Sequence, residues 1–307
     1  MNNALVIGGS GFIGSHIVDV LHQNNFSVKV FDREFDRFRD KKEGISYIGG
    51  SFQDQLVLAE ALSGVDVVIH ALSTSVPSTS NNFPIDDIMG NLVGTVNLLN
   101  LMLENRIKRI LFISSGGTVY GIPKSLPLDE EHSTNPINSY GIIKLTIEKY
   151  LLMYEKLYGL EPIIIRGSNA YGPRQGHIGV QGFIATSLYK TLRSEVITMY
   201  GDGELIRDYI FVEDLAELCF KAVLSKEKGV FNGGSGKGYT LNEIAKIITD
   251  ICGSKLILTK MPGRLFDVKE NVLCVKKAET RLGWIPKTSI ESGIKKHFDW
   301  LKERLQE

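Results

Sequence analysis

The sequence predicts an α/β protein: a parallel sheet with helices on both faces, followed by a smaller mixed α/β region. Three observations carry this. Short unbroken apolar runs alternate with longer amphipathic ones through the first half. The first run opens into a glycine-rich turn, "GGSGFIG", set between strand and helix patterns. Past residue 167 the rhythm loosens, and Gly and Pro become frequent around 172–182 and 201–203. Continuous apolar strands, rather than alternating ones, belong to sheets buried on both faces.

The elements follow in order. "ALVIGG" (4–9) reads as a strand and 12–25 has helical spacing. "SVKVFD" (27–32) and "ISYIGG" are the second and third strands, before a helix near 54–63. "VDVVIHA" (65–71) is a strand, followed by one long helix over roughly 85–105. "RILFIS" (109–114), a helix over about 139–158 and "EPIIIRG" (161–167) complete the repeat. Beyond it come a helix at 180–193, a strand at 196–199, and "DYIFVEDLAELCFKAV" (208–223), a strand turning into a helix. Thr240 with Glu243 three residues on marks a helix start at 239–252, and a last helix covers about 289–305. The expected division is 1–170 for a nucleotide domain, with a later return at about 208–228, and 171–307 for a substrate domain.

Composition narrows the function classes. The chain has 307 residues, 43% of them hydrophobic, enough for one large core and one smaller one. Formal charge is zero and no run of five or six like charges occurs, so neither a nucleic-acid groove nor a membrane surface is implied. The mixed-sign segment Arg33 to Lys42 reads as a solvated loop. Cys219, Cys252 and Cys274 have no metal-ligand spacing and read as buried small hydrophobes in a reducing compartment. No stretch approaches 18 apolar residues, and the N-terminus lacks a signal-peptide pattern. The expectation is a cytoplasmic protein without membrane insertion and without a metal.

The first turn points to a dinucleotide. Gly8, Gly11 and Gly14 let backbone approach a pyrophosphate, and Phe12 and Ile13 open the helix whose N-terminus faces it. Asp32 ends the next strand, where an acid hydrogen-bonds a ribose 2′-OH. That acid would repel a 2′-phosphate, which favours NAD over NADP, with Arg33 beside it. This makes the fold Rossmann-type. Other strand ends fit the same cleft: Asp54 toward the adenine, "HALS" (His70, Ala71, Leu72, Ser73) toward ribose and pyrophosphate, and Ser114 at the fifth strand. His70 reads as a packed strand-end histidine rather than a catalyst. Asn91, within a helix pattern, requires hydrogen bonds and reads as structural support near the catalytic helix.

"NSYGIIK" places Tyr140 and Lys144 four apart, on one helix face. A tyrosine titrating near 10 is a poor base at neutral pH. A nearby ammonium and a positive nicotinamide ring would both favour its phenolate. Such a Tyr takes a proton from an alcohol while hydride leaves for NAD⁺.

With these motifs the chain resembles an extended short-chain dehydrogenase/reductase of the nucleotide-sugar epimerase and dehydratase type. The likeness rests on "GGSGFIG", Asp32, "VYG", "YGIIK", "RGSNAYGPRQ", "GDGELIRDYIFVEDLA", "FNGGSG" and "PGRLFD…LGW", and covers nearly the whole chain. Within the family it is most similar to UDP-galactose 4-epimerases. The resemblance implies Tyr140 as base with Lys144 as partner and ribose contact. It implies Asn169, Arg207, Arg264 and Asp267 on a UDP-sugar, with both arginines on its diphosphate. It implies a homodimer paired through the 85–105 and 139–158 helices. A guanidinium fork does suit phosphate oxygens. Tyr171 and Arg174, in "YGPRQ", are expected as structural or cleft-lining residues.

The implied reaction is C4 epimerisation through a 4-keto sugar. Dehydratases of this family carry an acidic pair where this chain has Gly117 and Thr118, so elimination of water is disfavoured. A nucleotide-sugar 4-reductase would use the same Tyr and Lys, and a non-catalytic NAD-binding regulator is a third reading. One departure stands out in "FISSGGTVYG". The hydroxyl that family epimerases carry four residues before the Tyr of "VYG" is Gly116 here. Ser115 and Thr118 flank the gap as replacements, Ser115 preferred because it directly follows the strand.

Overall fold

The first strand shows why the apolar runs are unbroken. In β1 (Asn3–Ile7), Ala4 and Val6 enter one core while Leu5 and Ile7 enter the other. In the computed structural model, residues 2–35, 41–77, 79–176, 182–263 and 267–306 are described. The chain runs β1, α1 (Phe12–Gln23), β2 (Ser27–Asp32), β3 (Ile45–Gly49), α2 (Gln55–Leu62) and β4 (Val67–His70). A 3-10 turn (Ser80–Asn82) leads to α3 (Pro84–Asp87), a π-helical turn (Ile88–Val93) and α4 (Gly94–Glu104). Then come β5 (Arg109–Ser115), α5 (Ser139–Tyr158), β6 (Glu161–Gly167), β7 (Asn169–Tyr171) and α6 (Phe183–Leu192). The remainder is β8 (Ile197–Tyr200), β9 (Ile206–Phe211), α7 (Val212–Leu224), β10 (Gly229–Gly233), β11 (Gly238–Thr240), α8 (Leu241–Cys252), β12 (Leu258–Met261), β13 (Glu270–Asn271), α9 (Lys276–Leu282) and α10 (Ile290–Gln306).

Seven strands form one parallel sheet in the order β10-β6-β5-β4-β1-β2-β3. The order reverses on either side of β1, and in such sheets ligands bind at the carboxyl ends beside the reversal. Helices α1 and α7 cover one face with Ile17, Leu21, Leu215 and Leu218. Helices α2, α4 and α5 cover the other with Leu58, Leu98, Ile147 and Leu151. A third core joins α6, α8 and α10 through Leu188, Ile248 and Ile294. No helix among the described residues is long and apolar enough to cross a membrane.

Two expectations change. The single helix over 85–105 is three pieces, with the π-helical turn between α3 and α4. Such a bulge realigns side chains, and here it holds Asn91. The strand at the start of 208–223 is β9, which pairs with β7, β11 and β13 in a small second sheet. The chain rejoins the first sheet as a strand through β10, and α7 packs on that sheet, where Leu215, Leu218 and Phe231 join its core together with Ile210, Ala278 and Trp284.

Helix α5 is docked by polar contacts as well as apolar ones. Glu148, 1% exposed, accepts from Arg166 of β6 at 2.7 Å and from Ser114 Oγ of β5 at 2.5 Å. Removing one member of a buried pair leaves an uncompensated charge. Arg166→Ala should therefore lower stability by about 3–5 kcal/mol. The double change Glu148→Gln with Arg166→Met should recover most of it, read from urea unfolding midpoints.

Candidate active site

The glycine turn after β1 is shaped by close approach. Gly8 has φ 80°, and a Cβ there would sit 2.7 Å from the Leu72 amide nitrogen. A Cβ on Gly14 would collide with the Gly8 carbonyl. Helix α1 therefore starts hard against β1 and β4. It opens at Gly11 with no side-chain cap, so its first-turn N–H groups remain for a ligand. At the end of β2, Asp32 is half-buried and held by two backbone donors: Ser10 N–H to Oδ2 at 3.0 Å and Arg33 N–H to Oδ1 at 2.8 Å. Ser10 Oγ beside it is buried with no partner. This cradle fits a dinucleotide with a free ribose 2′-OH. Gly8, Gly11 and Gly14 would admit its pyrophosphate, Asp32 its ribose, and Phe12 and Ile13 already line the cleft.

Several expected cofactor contacts have other work. Asp54 Oδ1 caps α2, accepting from Leu56 and Val57 N–H. The His70 ring is fully enclosed between Phe52 and Phe112 and bonded to Thr95 Oγ1 at 2.9 Å, so its side chain does not reach the cleft. Thr95 Oγ1 donates to the Asn91 carbonyl, which makes His70 Nε2 the donor and leaves Nδ1 a buried unpartnered acceptor. Asn91 spends its amide on Thr74 and Asp87, as its structural reading expects. Ser114 lines the cleft but its hydroxyl is committed to Glu148. Ala71 and Leu72 are half-buried, with Leu72 backbone packed against Gly8. The Arg33 side chain is exposed.

Tyr140 and Lys144 share the inner face of α5. Asn138 caps that helix through Gly141 N–H at 2.8 Å, and Asn81 and Ser80 accept from Ser139 and Tyr140 N–H. Lys144, 4% exposed, donates to the Ile113 carbonyl at 2.8 Å, and its Nζ lies 5.6 Å from the Tyr140 ring centroid. Burial pulls Lys144 down to about 8, while Asp87 and Glu148 oppose the fall. Burial pushes the Tyr140 phenol up to about 12; a hydrogen bond with Ser73 works against this and the charge of Asp87 adds to it. The Lys144 head group donates to the Ile113 carbonyl rather than to the Tyr140 phenol.

The strand end resolves the Gly116 departure. A Cβ at Gly116 would lie 2.6 Å from Leu273 Cδ1 and 3.0 Å from the Arg166 carbonyl. That position faces Leu273, not the cleft. Ser115, Gly117 and Thr118 line the cleft instead, and Thr118 Oγ1 is buried without a partner.

Across the cleft, of about 320 Å³, stand Asn169, Arg207 and Asp267. Arg207 pairs with Asp267 at 3.6 Å, and Asn169 Nδ2 donates to the Asp208 carbonyl at 2.9 Å. An adjoining hollow of about 260 Å³ shares these three and is walled by Tyr171, Phe183, Met199 and Leu241. Arg264 lies outside the described residues. Arg174 binds Asp19 and Ser15 of α1, and the Tyr171 ring is buried. Sequence reasoning missed Ser80, Asn81, Asn138 and Asp87. Asn138, three residues before an amide it caps, had a readable signal; the other three did not.

A model of the NAD dependent epimerase/dehydratase family matches residues 4–234. The chain belongs to that family. Within it, the UDP-glucose 4-epimerase of Halalkalibacterium halodurans is 33% identical over 319 residues, covering 97% of this chain and 95% of that one. The structure of a UDP-glucose 4-epimerase with UDP-glucose from Thermotoga maritima superposes with a TM-score of 0.94 at 33% identity, covering 99% of each chain. That of the Thermus thermophilus UDP-glucose 4-epimerase in complex with NAD gives 0.92 at 30%, covering 98% and 99%.

The buried His70 makes this epimerase-family fold acid-sensitive. Burial pulls His70 from 6.5 down to about 3, so the unfolded chain takes up a proton the folded one refuses. Its contribution to stability is complete above 6.5 and is lost as pH falls toward 3, at up to about 1.4 kcal/mol per pH unit. His70→Asn should flatten that acid limb in thermal melts recorded against pH.

Proposed function

We propose that the protein interconverts UDP-hexoses that differ at C4, by transient oxidation to a 4-keto sugar with NAD. One observation carries the reading: Tyr140, with Lys144 one turn on along α5, lines a cleft that runs from Phe12 and Ile13 at the start of α1 to Arg207 and Asp267, with no carboxylate among residues 115–118 of the strand end. We assign residues 1–170 with the 212–233 return to NAD, and the rest of the chain mainly to the sugar nucleotide. Bound NAD supplies a hydride acceptor that becomes the donor on the return. Tyr140 takes the C4 hydroxyl proton and later gives it back. Bringing its phenol from about 12 to neutrality takes on the order of 7 kcal/mol, so ionisation depends on the positive charge bound beside it. Lys144, an ammonium below about 8, holds the ribose and faces that phenolate.

Arg207 grips the diphosphate, Arg264 joins it, and Asp267 meets the nucleotide ribose. Asn169 reaches the sugar nucleotide, and the uracil enters the adjoining hollow. The sugar end is lined by Gly117, Pro77 and Ile137, which offer few fixed polar contacts, so the ketose can turn and present its other face. Thr118, whose buried hydroxyl lacks a partner, is the stronger candidate to bond the sugar, with Ser115 beside it. Glycine at 117 and threonine at 118 supply no acid for dehydration.

The test is equilibration with UDP-galactose and with the N-acetyl pair, following formation of the C4 epimer. No turnover of either pair overturns the proposal, and net consumption of NADH by a keto sugar selects the reductase. Tyr140→Phe should lower kcat roughly a hundred- to ten-thousand-fold with the fold intact. Thr118→Ala should cost more than Ser115→Ala; equal wild-type rates would mean no third hydroxyl is used.

We also infer a cytoplasmic homodimer. Ile85, Met89 and Val93 are exposed at helical spacing beside exposed Ile142, Met153 and Leu157 of α5. A second copy of this face would cover them. The three cysteines are unpaired, in keeping with a reducing compartment. Met89→Lys should shift the sedimentation of the protein from dimer to monomer.

A further inference from the structure

Asp87 is 2% exposed at the end of α3 and has no part in the chemistry above. Its Oδ1 accepts from Ser75 Oγ at 2.6 Å and Asn91 Nδ2 at 2.8 Å, and its Oδ2 accepts from Ser139 Oγ at 3.0 Å. The three donors belong to three elements. Ser75 lies in the loop after β4, and its carbonyl accepts from Ser73 Oγ at 3.0 Å; Ser73 is near enough to Tyr140 to lower its pKa. Asn91 lies in the π-helical turn and holds Thr74 of the same loop at both ends of its amide. Ser139 is the first residue of α5, next to Tyr140.

A buried carboxylate is costly unless hydrogen-bonded. Three neutral donors satisfy Asp87 without cancelling its charge. The titratable groups around Lys144 are Asp87 from α3, Glu148 and Tyr140 from α5, and His70 from β4. Glu148 is paired with Arg166, and no ion pair of Asp87 occurs among the described residues; Asp87 is near enough to Lys144 to oppose the fall of its pKa. Tyr140 and Lys144 are in turn the titratable groups that face Asp87.

We propose that Asp87 is a positioning residue of the catalytic pair. It ties the Ser73 loop to the first turn of α5, and its buried charge balances the Lys144 ammonium. It therefore acts through Ser73, Tyr140 and Lys144 and touches no substrate. The rate measurements below rest on the epimerase reading; the titration does not.

The experiment follows the ε-carbon NMR signal of Lys144 in protein with isotopically labelled lysine, assigned by its loss in Lys144→Met. Asp87→Asn should lower the Lys144 midpoint by roughly one pH unit or more. Ser139→Ala keeps the charge and should leave the midpoint in place while lowering kcat. A lower midpoint means that the ammonium is lost at lower pH. The alkaline limb of kcat should thus move to lower pH in Asp87→Asn, with KM for the UDP-sugar little changed. A Lys144 midpoint in Asp87→Asn equal to wild type overturns the proposal. Should Asp87→Asn fail to fold, Asp87→Ser decides: it also removes the charge and should lower the midpoint likewise, and a midpoint equal to wild type overturns the proposal. A wild-type protein with no turnover overturns the functional reading, and the titration still decides the role of Asp87.

Discussion

The buried pair of Arg166 and Glu148 sets the height of the catalytic helix on the sheet. Arg166 issues from β6, Glu148 from α5, and Ser114 from β5 adds a hydrogen bond to the same carboxylate. One turn earlier on α5, Lys144 is anchored on the Ile113 carbonyl, and one turn earlier again Tyr140 reaches the cleft. Residues 140, 144 and 148 form a single row, so anchoring its last member fixes the first two. A charged pair is an expensive way to dock a helix. Its advantage is direction. Apolar contacts along Ile143, Ile147 and Leu151 tolerate sliding, and a forked guanidinium does not.

Burial then dominates the electrostatics of the site. It holds Tyr140 protonated and draws Lys144 toward neutrality, the reverse of what base catalysis needs. The opposing influences are local and polar: Ser73 on the phenol, and Asp87 and Glu148 on the ammonium. Under the proposed function, bound NAD would add a positive charge to the same cleft, and that charge would favour the phenolate.

The strand end of β5 shows how a departure in sequence can be a matter of packing. Leu273 occupies the space a Gly116 side chain would need, and Leu273 N–H is itself held by the buried Asp208 carboxylate. Asn271 ties the Gly116 carbonyl to the same segment. The residue pair 116 and 273 is complementary across a long separation in the chain, and neither is interpretable alone. The missing hydroxyl was legible in "SSGGTVYG"; that its position faces Leu273 was not.

Local pattern was enough for much of this protein. β1, β2, β4, β5 and β6 were readable because each carries apolar residues on both faces, and the glycine turn because a Cβ at Gly8 or Gly14 would collide with backbone. The positions of Asp32 at the end of β2 and of Tyr140 and Lys144 on one face of α5 were readable because each spacing is set within one βα unit. Other features depend on segments far apart in the chain. The break of the 85–105 helix by a π-turn, the assignment of β9 to a second sheet and the enclosure of His70 are of this kind. Asp87 is the sharpest case. In sequence it is one of two adjacent acids, Asp86 and Asp87, near the start of the helix expected over 85–105, the usual mark of a solvated face. Only when the loop after β4, the π-turn and the start of α5 close around it is its carboxyl buried and hydrogen-bonded by Ser75, Asn91 and Ser139. The sequence by itself determined six of the seven strands of the main sheet and the glycine turn, and placed Tyr140 and Lys144 on one helix face, because each is encoded by short-range spacing. Tertiary structure alone decided which polar groups are buried and what they face, because burial depends on what the rest of the chain packs against.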